Sequence, residues 1–546
     1  MVVTANPHAT RVGLEVLRAG GSAVDAAVAI EAVLTLVEPQ SSGLAGGAYM
    51  VHYEAQTKSI SVYDGRETAP ASATKDMFFK NNTETYNFIE AKTSGLATGV
   101  PGVVAMLEMA HKDHGSLPWK ELFESAHQLA SDGFEVSPRL HGMIQRFGPY
   151  IPSTLEEGPL DAYNYFFDDT GEALPAGHIL TNPEYAVTLD MIADNPESFY
   201  RGSIAEQIVE AVGLSPRAGA MTTADIEAYR PVKRSVVCSP YRKMKLCGPP
   251  PASSWVAVGM IMGLVEEHGG FSKAGADDWK NWALYADVQR LAYADRDHYI
   301  ADADKTGVPT KGLLNRDYIS ERAGLLSSDS PLKDLTPGNA WKYEPNSSVS
   351  MNGVDGTDDT PGTTHFVIVD KSGDVVSMTA SVESIFGSTR MVGGMFLNNQ
   401  LTDFSFKYVD EDGTPIANAP GPQKRPRSSM SPTIILDEND EFLMATGSPG
   451  GNNIIAYTTK SIIGVLDWGL TAQQAIDLPN MVARGDIVRV EANSGSETLI
   501  TNLEQYGFEV DGSRGENSGL SVVVKRSSGR LEGGVDRRRE GVIGGE

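Results

Sequence analysis

Basic charge is scarce in this 546-residue chain: 45 Lys and Arg stand against 71 Asp and Glu, a formal charge of −26. Phosphate backbones need a concentrated basic surface, so no nucleic-acid partner is expected. The one basic run, Arg537-Arg538-Arg539, is read as surface. Cysteine is scarcer still. Cys238 and Cys247 flank Ser239-Pro240-Tyr241-Arg242-Lys243, and this leaves two readings open, a bridge across a hairpin or two buried thiols. The ten histidines are scattered, with no H-E-x-x-H, no Cys-x-x-Cys, no phosphate loop and no dinucleotide fingerprint, so neither a metal nor an organic cofactor is expected. Long apolar runs are missing too. Trp255 to Val265 is too short to span a bilayer and reads as a buried helix, so no membrane span is expected. No signal-peptide pattern is visible, and the compartment stays open: periplasmic or extracellular if a targeting segment has been removed, cytoplasmic otherwise.

What is present is ordinary globular composition, 41% hydrophobic and 21% charged, with 56 glycines that imply many tight turns. Residues 7 to 37 carry the periodicity of two helices broken at Gly20-Gly21, the second apolar on nearly every face and therefore buried. AYMVHY and SISVYD alternate as strands, residues 97 to 300 look largely helical, and the last third returns to strands (MFLNNQ, SPTIILD, FLMATGS, IVRVEA, SVVVKR) with helices near 453 to 466 and 471 to 480. Strands at both ends and helices between them predict an α+β layered body whose sheets draw on both halves of the chain.

The chemistry centres on Gly362-Thr363. Residues 342 to 362 are polar with little to bury, and read as an exposed, mobile loop. From Thr364 the pattern flips to THFVIVD, a turn cluster and VVSMTAS, a hairpin. A threonine freed at that boundary carries a hydroxyl nucleophile and an α-amine of pKa about 7.7 to 8.0, so nucleophile and base share one residue. Gly447-Ser-Pro-Gly-Gly451 lies between a strand and a helix and aims backbone N–H groups at one spot, as an oxyanion requires. Arg425-Pro-Arg-Ser-Ser-Met-Ser-Pro432 offers two hydroxyls and arginine to a carboxylate, and Leu397-Asn-Asn-Gln-Leu-Thr-Asp-Phe404 offers amide and acid groups to an ammonium. Fragments such as Ser72-Ala-Thr-Lys75 mimic a penicillin-recognising hydrolase, but no long apolar helix follows Ser72 and that reading is rejected.

Taken together, Thr363-Thr-His-Phe, LNNQLTDFS, KRPRSSMSPT, ATGSPGG and GLEVLRAGGSAVDAAVA…VEPQSSGLAGG resemble the γ-glutamyltranspeptidase family, almost end to end and in the same order. The resemblance implies an N-terminal nucleophile hydrolase: a four-layer αββα sandwich, made as a precursor and cut by its own threonine between Gly362 and Thr363 into tightly associated chains of residues 1–362 and 363–546. It implies attack of Thr363 on the γ-carbonyl of a γ-glutamyl donor such as glutathione, with water, an amino acid or a peptide as acceptor. Carried over position by position, Arg66 grips the donor α-carboxylate with Ser428 and Ser429, Gln400 and Asp403 hold the α-ammonium, and Gly450 and Gly451 stabilise the oxyanion.

Three positions depart from the family pattern. Ser381 and Glu383 stand where a threonine and an asparagine are common; Ser381 can still hydrogen-bond Thr363, whereas Glu383 brings a second carboxylate toward the ammonium site. Trp255 replaces a common glycine and either fills a channel or packs a helix start. Segment 405 to 424 occupies the place of a lid in some members, and none is assigned here. Two rival readings remain: a glutaryl-cephalosporin acylase type of amidase on the same fold, and an unprocessed, non-catalytic homologue that binds a partner.

Overall fold

The computed structural model describes residues 1–345, 352–357, 362–515 and 518–545. Two sheets form its centre. The first has seven strands, in the order Val542–Gly544, Val2–Thr4, Gly362–Val369, Val375–Glu383, Gly47–Glu54, Ser59–Asp64 and Val232–Arg234. The second has six: Leu531–Val535, Ser521–Lys525, Phe442–Gly447, Thr433–Leu436, Met244–Gly248 and Val237–Tyr241. Each therefore joins strands from both sides of Thr363, as the sequence pattern predicts.

Alternation along the strands sorts side chains into layers. Val3, Val51, Val62, Val367, Val369 and Val375 point from the first sheet onto Ile434, Leu436, Phe442, Ala445 and Val523 of the second. The opposite face, with Met50, Phe366, Ile368, Val376 and Met378, packs under Ala23–Val37, Val103–His114 and their neighbours. The outer face of the second sheet, with Ile435, Met444, Val522 and Val524, packs under Trp255–Glu267, Trp279–Tyr299 and Ile454–Leu466. The order is helix, sheet, sheet, helix, the four-layer αββα sandwich expected.

Local chemistry places the helix starts. Asn6 accepts the His8 amide at 2.9 Å before Pro7, and Ser22 with Asp25 closes a capping box ahead of Ala23–Val37, whose every residue is buried. The helical middle predicted for residues 97 to 300 is interrupted by the hairpin 237–248, which supplies one edge of the second sheet. Cys238 pairs with Cys247 across it and the two form a disulfide, which decides between the two readings of the cysteines. MFLNNQ is strand only at Met395–Phe396, and a short helical turn, Gln400–Asp403, follows. Trp255 is fully buried at its helix start, its indole donating to Thr433 Oγ1 at 3.0 Å and its ring packed on Gly248; it fills no channel.

Candidate active site

Thr363 lies at the head of the strand Gly362–Val369, directly opposite Ser381 on Val375–Glu383. Register slips between Ser381 and Glu383, so that Glu383 rather than Val382 faces Gly362, and Glu383 adopts a positive φ of 79°. Such a bulge re-aims the strand end, and here it gathers polar groups. Ser381 Oγ donates to the Gly362 carbonyl at 2.9 Å, accepts the Glu383 amide at 2.8 Å and lies 3.1 Å from Thr363 Oγ1. A hydroxyl has one proton to give, so Thr363 is the donor in that last contact. The Thr363 hydroxyl, the Ser381 hydroxyl and the Gly362 carbonyl form one chain of hydrogen bonds.

The strand beneath is held by buried groups. His365 Nδ1 meets Thr379 Oγ1 at 2.9 Å, and burial pushes the imidazole pKa down to about 3, so it is neutral and structural. Arg539 donates to the Thr363 carbonyl at 2.8 Å. It is 7% exposed, so the expectation that the Arg537–Arg539 run is surface fails at this residue: its guanidinium is drawn inward by that carbonyl and by Glu38, 4.0 Å away. The expectation that residues 342 to 362 form an exposed loop fails likewise at Asp355, which is 1% exposed, and at Gly362, buried on its strand; the rest of that expectation falls partly on 346–351 and 358–361, outside the described residues.

Gly450 and Gly451 turn the chain from the strand Phe442–Gly447 into the helix Ile454–Leu466, with φ of 138° and 57°. Both values favour glycine, and a Cβ on Gly450 would stand 2.6 Å from the Tyr457 ring. Gly447 starts this turn against the His365 imidazole, which brings it beside the strand that carries Thr363.

Arg66 is fully buried. It donates to Asp403 Oδ2 at 2.5 Å, to the Pro426 carbonyl at 3.1 Å and to the Arg427 carbonyl at 2.7 Å. Burial works against its charge, but Asp403 and Glu67 outweigh that and keep it firmly protonated. Gln400 donates to the same Asp403 oxygen at 2.8 Å. Glu67 lies 3.5 Å from Arg66, and its carboxyl oxygens accept no hydrogen bond among the described residues; burial, countered by Arg66, raises it to about 8. Glu383 accepts from Ser384 Oγ and Asn399 Nδ2, placing its carboxylate on the loop that carries Gln400 and Asp403.

Arg66, Gln400 and Asp403 are thus brought together. Ser429 instead receives Arg296 Nη2 at 2.6 Å and lies 3.4 Å from Asn452 Oδ1. Ser428 is held through its backbone to Ala252 and Ser254, and its hydroxyl accepts the Met430 amide at 3.2 Å. Arg296 bonds Asp297 at 2.8 Å, as does Arg484 at 2.9 Å, with Arg427 3.7 Å away. Burial alone would raise Asp297, and these three arginines hold it below the ordinary carboxylate range. Sequence reasoning assigned no role to Arg296, Asp297, Arg484, Arg539 or Glu67. Of these, Glu67 alone, beside Arg66 in YDGRETAP, carried a local signal.

The αββα sandwich is the N-terminal nucleophile hydrolase fold, and Thr363 stands at the head of a strand flanked on both sides within one of its sheets. The sequence profile described as Gamma-glutamyltranspeptidase matches residues 9–545, and the chain belongs to that family. It is 33% identical to a glutathione hydrolase proenzyme of Bacillus subtilis (strain 168), over 99% of this chain and 90% of that one. It is 34% identical to the Escherichia coli (strain K12) glutathione hydrolase proenzyme, over 98% and 90%. A cephalosporin acylase from Bacillus halodurans shares the fold with a TM-score of 0.83 at 24% identity, covering 100% of this chain and 95% of that one.

Proposed function

We propose that this chain is a self-processing γ-glutamyl hydrolase and transferase, cut between Gly362 and Thr363 into chains of residues 1–362 and 363–546. The observation that carries the reading is the hydrogen-bond chain from Thr363 Oγ1 through Ser381 Oγ to the Gly362 carbonyl. Attack by Thr363 Oγ on its own upstream carbonyl builds negative charge on an oxygen that already has a donor, and collapse to the ester followed by hydrolysis frees the Thr363 amine. That amine then takes the hydroxyl proton as Thr363 attacks the γ-carbonyl of glutathione or a related donor. Gly450 and Gly451 receive the oxyanion, and water or an amino-acid or peptide acceptor releases the γ-glutamyl group. Asp403, Gln400 and Glu383 give the site the acidic and amide groups suited to a donor ammonium, which favours this reading over an acylase whose acyl group lacks an amine.

Intact mass under denaturing conditions tests the cut: two species dividing at Gly362/Thr363 are expected, and a single full-length mass after long incubation would leave a binding protein. Release of p-nitroaniline from γ-glutamyl-p-nitroanilide, abolished by Thr363→Ala, tests the chemistry.

A further inference from the structure

Arg539, near the end of the chain, reaches back to the residue that is to act. Its Nη1 donates to the Thr363 carbonyl at 2.8 Å, with the side chain 2% exposed. A Cβ on Gly519 would stand 2.6 Å from Arg539 Nε, so a glycine there gives the buried guanidinium room to pass. The strand Val2–Thr4 pairs with Gly362–Val369 no nearer to Thr363 than Val367. Beyond that point the contact to the Thr363 carbonyl comes from a charged side chain.

Glu38, at the end of the helix Ala23–Val37, lies 4.0 Å from Arg539 and is shared: it also accepts Arg139 Nη1 at 2.9 Å and Ser41 Oγ at 3.2 Å. Burial and Arg139 push the Arg539 guanidinium down to about 9, with Glu38, Asp536 and Tyr457 working the other way, so it is still a cation at neutral pH. The other titratable groups about the strand head are few. Glu383 lies opposite Gly362 on the neighbouring strand, and Glu67 packs against Gly47, the residue across from Ser381, with its carboxyl raised by burial to about 8. Arg66 and Asp403 hold each other, and His365 is neutral.

Once the bond before Thr363 is cut, its α-amine is a base only while neutral. At a reference pKa of about 7.7 to 8.0 only about a tenth of it is neutral at pH 7. A nearby carboxylate lowers that fraction and a nearby cation raises it. Arg539 Nη1 is no more than about 7 Å from the amine nitrogen along the bonds of Thr363. Thr363 is 3% exposed, and over that distance at a buried site one charge moves such an equilibrium by about one to two pH units, less what Glu38 takes back.

We propose that Arg539 is a positioning residue for catalysis by Thr363: it fixes the nucleophile residue through its carbonyl, and its charge keeps the freed α-amine in the base form at neutral pH. This deepens the γ-glutamyl reading and rests on it for the cut that frees the amine. The proton leaves Thr363 Oγ for that amine as Oγ bonds the acyl carbon, and leaves the ammonium for the departing nitrogen as the acyl–nitrogen bond breaks. A cation beside the ammonium favours the second transfer too.

Intact mass first establishes the cut, and a wild type that stays whole has no such amine and overturns both readings. In the processed enzyme, kcat/KM for γ-glutamyl-p-nitroanilide is followed from about pH 5 to 9. Arg539→Gln should move the acid limb up by about one unit, a roughly tenfold loss near pH 6 that closes toward pH 9, and Arg539→Lys should recover at least about half of the shift. A loss of equal size at every pH, as a purely structural contact would give, overturns the proposal, as does the same shift in the Lys variant. Where Arg539→Gln is not cut, Glu38→Gln decides, because it leaves Arg539 and Thr363 in place: the limb should move down by about half a unit, and no shift or an upward one overturns the proposal. Acetylation of Thr363 by 4-nitrophenyl acetate, located by peptide mass, follows the same amine with no γ-glutamyl recognition. An Arg539-dependent shift there, in a cut protein inert toward γ-glutamyl-p-nitroanilide, upholds the role of Arg539 and sinks the γ-glutamyl reading.

Discussion

Ser381→Ala should slow self-cleavage far more than it disturbs the fold. Ser381 Oγ has a single proton; with Glu383 N at 2.8 Å and Thr363 Oγ1 at 3.1 Å both donating into it, that proton goes to the Gly362 carbonyl at 2.9 Å. The Gly362 oxygen is where charge develops when Thr363 attacks, and removing one donor of this kind costs about 2.7 to 4 kcal/mol, or roughly 10²- to 10³-fold in rate. The same substitution removes the acceptor that orients the Thr363 hydroxyl. Ser381→Thr keeps the hydroxyl and should process within about tenfold of wild type, its extra methyl being the only burden at a buried position. The assay is a time course of intact mass on freshly purified precursor at fixed temperature. Processing of Ser381→Ala within about threefold of wild type would refute the reasoning, because a donor worth under about 1 kcal/mol is not polarising the scissile carbonyl.

Three further outcomes follow from buried groups. Glu31, fully buried on the helix Ala23–Val37, is raised by burial, against a smaller opposing effect of the nearby Ser42 hydroxyl, from 4.5 to about 8. Its protonated form therefore supports the fold fully below about pH 4.5, and that support is lost as pH rises through about 8, a linkage of roughly 4 to 5 kcal/mol. Glu31→Gln should raise the denaturant midpoint at about pH 9 and leave it nearly unchanged at about pH 5, and an equal effect at both values would contradict the burial argument. Gly447→Ala would set a Cβ 2.4 Å from the His365 ring, so melting temperature should fall with a loss of about 1 to 3 kcal/mol, and processing should slow as the nucleophile strand shifts. Reducing Cys238–Cys247, which closes a loop of sequence separation 9, should cost up to about 2 to 3 kcal/mol in a denaturant melt and leave γ-glutamyl turnover intact, since the hairpin forms the far edge of the second sheet.

The layered fold was legible because its signals are local. Period-2 alternation in GTTHFVIV and VVSMTAS, the all-apolar Ala23–Val37 and the glycines of the 447–451 turn each declare an element or a strained backbone without reference to any other part of the chain. The hairpin 237–248 showed in the sequence only as one of two readings of its cysteines, because its strands are short and carry Pro240 and Lys245. Within the site, the sequence named the loops that meet and left their pairings open. Arg66 and Asp403 lie 337 residues apart, Arg539 and Thr363 lie 176 apart, and nothing in either local pattern says which cation finds which anion.

Pairing is decided by burial. A charge removed from water must take the partner that is already there when the layers close. Asp403 is seated on Arg66, Asp297 is shared by Arg296, Arg427 and Arg484, and Arg427 also meets Asp355, a residue whose own surroundings in sequence, Asn352-Gly-Val-Asp-Gly-Thr357, read as loop. Asp355 is therefore drawn inward by its charge partner although its neighbours in sequence are polar.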